Sequence, residues 1–433
     1  MSADAVAALG FIALFSLMML RVPVGIAMGA VGVLGFGYMV GDMKPALKIL
    51  SQSPIRTATD AEFAVIPLFL LMGAFASASG MSRELFRASN TFLGHFRGGL
   101  GIATIAACGG FAAICGSSVA TAATFSRVAY PEMRSHGYPQ SFATGVIAAG
   151  GSLGIMIPPS TVFAVYGLIT EQDIGKLFIA GVLPGLLAIG MYIATINLIA
   201  LVKPGYLPKA PRHSWAERRA ALRDVWAVLL LFVFIIGGLY AGMFTATEAA
   251  GMGAAGALII SLARRKLSRD DFWRCLIESL RTTASVFTIL IGALIFGYFL
   301  TITQVPQKLT GFLTGLGLGS YGVLLLIMLM YLVLGCIMDA MAMIILTIPI
   351  VFPVVKALGF DPVWFGVIIV MTVELGLIHP PVGMNVFVIK SVVKDVKLST
   401  VFYGVMPFVL TDILRLAILI AFPIIATWLP SHM

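Results

Sequence analysis

The sequence predicts an all-α polytopic membrane protein made of two inverted-topology repeats, each holding a re-entrant helical hairpin and a proline-broken helix. Composition, recurring apolar runs and a matched pair of helix breaks carry that prediction. Hydrophobic residues make up 60% of the 433 and charged residues 11%, with a mean hydropathy of +1.03; a soluble domain runs nearer about a quarter charged. Apolar runs of about twenty residues, enough to cross the bilayer core as helix, recur from end to end. The breaks are GSLGIMIPPS (Gly151 to Ser160) and ELGLIHPPVG (Glu374 to Gly383), whose prolines stand 222 positions apart, Pro158 against Pro380.

Taken in order, spans are expected at 4–20, 22–41, 61–79, 139–169, 177–202, 224–240, 245–263, 282–303, 362–389 and 400–428. The stretches 98–131 and 320–355 are too interrupted for one span. They read as hairpins with tips at CGSS (Cys115 to Ser118) and CIMD (Cys336 to Asp339). Glu62 reads as interfacial, Arg127 as a snorkelling residue on the returning arm, and Gly25-x-x-x-Gly29 as a site of close helix packing. The first apolar run follows Asp4 rather than a basic segment, so a cleaved signal peptide is not expected. Cys108, Cys115, Cys275 and Cys336 show no CxxC spacing, which argues against a zinc site or a disulfide framework.

Alternating sides places most of the 28 Lys and Arg on one face, chiefly in Lys203 to Arg223 and Arg264 to Arg281, with Lys390, Lys394 and Lys397. The richer face is then cytoplasmic and both termini lie outside, on the periplasmic side. Those basic loops lack aromatic interleaving, so no nucleic-acid partner is expected. Internal repetition gives the second axis of organisation. At the same offset Ala27 aligns with Ala249, Gly29 with Gly251, Ala120 with Ala342, Pro131 with Pro353 and Gly154 with Gly376. The first repeat is set at 1–210 and the second at 211–433, each with five spans and one hairpin. Five is odd, so the second half enters the membrane upside down.

Proline lacks an N–H and its ring blocks the carbonyl four residues back. Pro158 and Pro159 therefore free the carbonyls of Gly154 and Ile155, and Pro380 and Pro381 those of Gly376 and Leu377. Free carbonyls in hydrocarbon cost roughly several kcal/mol each and persist only in protein or around a polar cavity. Paired breaks of this kind point to a secondary transporter that binds an ion and a solute near the midplane. Candidate binding residues are Gly116, Ser117 and Ser118 at the first tip and Gly150, Gly151, Gly154, Ile155 and Pro158 at the first break. In the second half they are Asp339 at the tip and Thr372, Glu374, Gly376, Leu377 and Pro380 at the break. Ser117 suits the N-cap of the returning arm, and Asp339 is its repeat mate. A divalent ion would recruit several carboxylates, so Na⁺ held mainly by backbone carbonyls is the expected metal, with no bound cofactor. Gly150-x-Ser152-x-Gly154 with His379 as base is rejected as a hydrolase site, because that motif needs a strand-to-helix elbow. No G-x-x-x-x-G-K-[ST] occurs for nucleotide binding. A channel or an unrelated sodium- or proton-coupled carrier are the remaining alternatives.

The segments GSSVATAATFSRVAYPEMRSHGY (Gly116 to Tyr138), GSLGIMIPPS, FTATEAA (Phe244 to Ala250) and ELGLIHPPVGMNVF (Glu374 to Phe387) resemble the large membrane (permease) subunit of TRAP transporters, the tripartite ATP-independent periplasmic systems. The resemblance covers essentially the whole chain. It implies an elevator-type transporter in the bacterial inner membrane that couples uptake of a small organic acid, often a carboxylate, to a sodium gradient. It further implies two partners, a periplasmic substrate-binding protein and a small four-helix membrane subunit, neither fused to a chain of this length. Glu248, in the family's TEAA box, is assigned a structural hydrogen-bonding role. His379 stands where the family usually carries Thr or another small residue.

Overall fold

The computed structural model describes residues 1–210, 212–336 and 338–433. Pro211, where the second repeat is set to begin, and Ile337, within the second tip, lie outside the described residues. Twenty α-helices and two short 3-10 turns account for the regular structure among them. Among the described residues eight helical segments are long and apolar enough to cross a membrane, Gln140–Thr170 being counted across its break, and shorter apolar helices stand beside them.

The offset of 222 recurs in the helix boundaries themselves. Gln140–Met156 corresponds to Pro362–Ile378 and Ser118–Ser135 to Ala340–Ala357, while the outgoing arms, Gly99–Cys115 and Gly319–Gly335, are two residues out of that register. The short helices after the breaks, Thr161–Thr170 and Met384–Val392, also correspond. Both expected hairpins are present as helix pairs, and both expected broken helices end ahead of their proline pairs.

Several elements differ from the sequence reading: Met81–Leu93 and Val305–Gly315 are helices in expected connections, Trp215–Tyr240 starts ahead of its expected span, and two further differences are larger. The connection expected between residues 41 and 61 is itself a helix, Met43–Thr59, capped by the Asp42 carboxylate on the Lys44 amide at 2.9 Å. It exposes Met43, Leu47, Leu50 and Ile55 beside Lys44, Lys48 and Arg56. Such mixed composition defeats a search for uniformly apolar windows. The span expected at 282–303 is the end of a 35-residue helix, Arg269–Thr303. At 1.5 Å per residue it is ~52 Å long and outruns the bilayer core. Its basic start ends the apolar window but not the helix, because Ser268 caps the Asp271 amide.

The repeats interlock. Val24–Val40 of the first packs on Arg269–Thr303 of the second, and Ala246–Ala263 of the second packs on Val65–Ala78 of the first. A Cβ on Gly25 would stand 2.7 Å from the Ile289 Cα, so the Gly25/Gly29 face serves packing within this chain. Each hairpin's returning arm lies against the other repeat's short helix: Ser118–Ser135 against Met384–Val392, and Ala340–Ala357 against Thr161–Thr170. The two broken helices touch at the centre. Glu248 forms a capping box with Thr245, accepting from its amide at 2.8 Å, in keeping with a structural role.

Candidate functional site

The first break sits directly under the first tip. Ser117 caps the returning arm by accepting from the Ala120 amide at 3.3 Å, and Gly116 turns the chain with φ of 62°. Small residues let the broken helix nest between the hairpin arms. A Cβ on Gly150 would stand 2.7 Å from Cys108 Sγ, on Gly151 2.8 Å from Ala122 Cβ, and on Gly154 2.5 Å from the Ser117 carbonyl. The Ile157 amide bonds the Leu153 carbonyl, and Pro158 and Pro159 offer no amide, so the Gly154 carbonyl receives no helix bond. The Ile155 carbonyl, expected free, is taken by the Ser160 hydroxyl at 2.6 Å. Thr161 Oγ1 donates to the Gly116 carbonyl at 2.9 Å, joining tip and break. Ser118 is buried at the start of the arm.

The second break repeats the backbone without those hydroxyls. The His379 amide bonds the Leu375 carbonyl, leaving Gly376 and Leu377 ahead of Pro380 and Pro381. Gly376 meets Gly335 of the outgoing arm, each position so close that a Cβ on Gly376 would stand 3.0 Å from the Gly335 Cα. Cys336 Sγ lies 3.7 Å from the Pro380 carbonyl. Asp339 is exposed, and its Oδ1 accepts the amides of Met341 and Ala342 at 3.0 and 3.1 Å; its carboxylate is a helix cap. Thr372 donates to the Ile368 carbonyl in its own helix. Among the described residues Asn385, wholly buried, has neither amide atom partnered, and His379 Nδ1 is likewise buried without a partner. Sequence reasoning passed over Asn385; its place in the PPVGMN box, polar within an apolar run, was the available signal.

Glu374 does not join that break. Residues two apart on a helix do not share a face, and Glu374 turns away from the Gly376 side toward Leu398–Ala421. There Arg415 Nη2 lies 2.9 Å from Glu374 Oε2 and 3.0 Å from Asp412 Oδ1. Tyr192 donates to Asp412 at 2.7 Å, and Ser152, the repeat mate of Glu374, lies 3.3 Å from the Tyr192 hydroxyl. All five side chains are wholly buried. The network ties both broken helices to the helices that follow them, Ile174–Val202 and Leu398–Ala421. Ser152 is therefore a helical residue bonded to Tyr192 and the Ala149 carbonyl, not a nucleophile at an elbow.

A cavity of about 480 Å³ reaches the first tip, lined by Cys115, Ser117, Ala120 and Arg127 of the hairpin on one side. Val65–Ala78 and the stretch Asp271 to Thr282 line the other side. Arg127, expected to snorkel, lines this cavity.

Residues 11–425 match the family model described as "Tripartite ATP-independent periplasmic transporter, DctM component". The chain belongs to that family. It is 40% identical over 387 residues to the C4-dicarboxylate TRAP transporter large permease protein DctM of Pseudomonas aeruginosa, covering 89% of this chain and 88% of that one. It is 33% identical to the sialic acid TRAP transporter large permease protein SiaM of Vibrio cholerae, covering 84% and 85%. A solved structure, the YdaH transporter of Alcanivorax borkumensis, shares the fold at a TM-score of 0.60 and 15% identity over 90% of each chain. The chain is thus a multi-pass TRAP large permease, a transporter rather than an enzyme.

Proposed function

We propose that this permease takes up a small organic acid across the bacterial inner membrane, driven by a sodium gradient through an elevator movement. The observation that carries the reading is the first tip in contact with the first break, at the end of a cavity large enough for a small solute. The amides at the start of the returning arm suit a carboxylate. The carbonyls of Gly154, Gly376 and Leu377 offer hard oxygen ligands to Na⁺. Relatives named for C4-dicarboxylates and for sialic acid support an acidic solute. The solute arrives on a periplasmic binding protein, and a small four-helix subunit completes the complex.

The two repeats, 1–210 and 211–433, oppose each other in the membrane. Their odd number of crossings and the basic segments around Arg218 and Lys394 favour a cytoplasmic basic face with both termini periplasmic. Reconstituted uptake tests the reading. Proteoliposomes with both membrane subunits and a loaded binding protein accumulate solute only under an inward sodium gradient, and this chain alone does not. Uptake without sodium, or by this subunit by itself, would favour an unrelated carrier. Labelling of a cysteine at Arg218 from the periplasm would overturn the inverted arrangement.

A further inference from the structure

We infer that Arg127 is the anion-guiding residue of the route between the first tip and the basic face of the membrane. The cavity that ends at Ser117 carries Arg127 on its hairpin wall. Ten residues separate the two along one helix, so the Arg127 backbone stands ~15 Å along that helix from Ser117. Arg274, also in the lining, is paired with Asp271 at 3.4 Å. Arg127 forms no ion pair among the described residues, and it is exposed to the cavity.

Glu278 lines the opposite wall, so the cavity is polarised, positive on the hairpin side and negative on the other. A cleft of this kind concentrates ions of opposite sign along each wall. A carboxylate leaving the tip passes along Arg127, and a coupling cation passes along Glu278. Arginine suits the task because its charge is permanent and its planar fork matches a carboxylate. A snorkelling residue would need only to reach the interface; this one faces the path that begins at the tip. The inference rests on the reading of the solute as an acid and of the basic face as cytoplasmic.

Two native thiols line the same cavity, Cys115 at its deep end and Cys275 on the opposite wall, which allows a test independent of solute and sodium. Inside-out vesicles bearing the assembled complex are treated with an anionic methanethiosulfonate (sulfonatoethyl) or a cationic one (trimethylammonioethyl). Site-resolved mass spectrometry then follows Cys115 in a Cys275→Ser background. The anionic-to-cationic rate ratio is expected to fall about tenfold in Arg127→Gln, within the range of electrostatic steering in clefts, and to survive in Arg127→Lys. Raising the salt should also lower it in the native protein. An unchanged ratio in Arg127→Gln overturns the inference, as does a Cys115 that neither reagent reaches from this side. Should Arg127→Gln fail to assemble, a salt-insensitive ratio in the native complex overturns it equally. Failure of the acid reading looks different: the ratio behaves as expected, but succinate supplied with the binding protein is not taken up and a neutral solute is.

Discussion

At the first break Ser160 holds the Ile155 carbonyl and Thr161 holds Gly116, so the unwound turn is stitched by its own hydroxyls to the tip above it. Their repeat mates are Val382 and Gly383, which can do neither, and the buried polar atoms of His379 and Asn385 stand without partners among the described residues. The backbone plan is common to both breaks while the side-chain chemistry is not. The first break leaves its Gly154 carbonyl without a helix bond but has its hydroxyls bonded. The second adds orphaned polar side-chain atoms, a larger deficit that a ligand or water can fill, since buried unpaired amides cost about 1–3 kcal/mol each. The second break is accordingly the more responsive of the two.

The largest expected effect falls on the network that links the breaks. Arg415→Ala strands Glu374 and Asp412 as buried, uncompensated charges and should cost about 3–5 kcal/mol, read as a lowered unfolding temperature of the detergent-purified chain. Glu374→Gln keeps the shape and should cost much less; equal losses would mean that packing, not charge, joins the breaks. Next come the prolines. Pro158→Ala and Pro380→Ala each restore an amide that can take the carbonyl four residues back, a bond worth about 1 kcal/mol. Sodium-driven uptake should fall in both, and both variants retaining native rate and sodium dependence would reduce the breaks to packing features.

A pair of opposite sign sharpens the contrast. Ser160→Ala should destabilise by about 1 kcal/mol by baring a buried carbonyl. Asn385→Leu removes an unpartnered amide from a wholly buried site; it should leave stability unchanged or raised by about 1 kcal/mol while uptake falls. Loss of stability in Asn385→Leu would show that the amide is already satisfied. The smallest effects belong to the caps. Ser117→Ala and Asp339→Ala each lose a helix N-cap, about 0.5–2 kcal/mol, visible in thermal melts; the comparison of the two tips predicts similar losses.

Much of this was legible beforehand. Both hairpins, both breaks and the offset of 222 follow from local rules, because proline punctuation and apolar run length act within a few residues. The helix Met43–Thr59 was not legible as a span, since its apolar residues are diluted by Lys44, Lys48 and Arg56. The role of Glu374 could not be settled either: a carboxylate two residues before a break reads equally as ligand or as structural partner until Arg415, 41 positions away, is placed beside it.

The sequence by itself determined that the chain is a membrane protein, that its plan is twofold, and which turns of helix must open. Those outcomes depend on missing amides and on the cost of exposing backbone to hydrocarbon, which neighbours along the chain decide. Tertiary structure alone decided that each hairpin's returning arm lies on the other repeat's short helix and that Ser152 and Glu374 meet one buried network on the side away from the tips. Those depend on contacts between residues tens to hundreds of positions apart, where only the packed fold says which polar atom finds a partner.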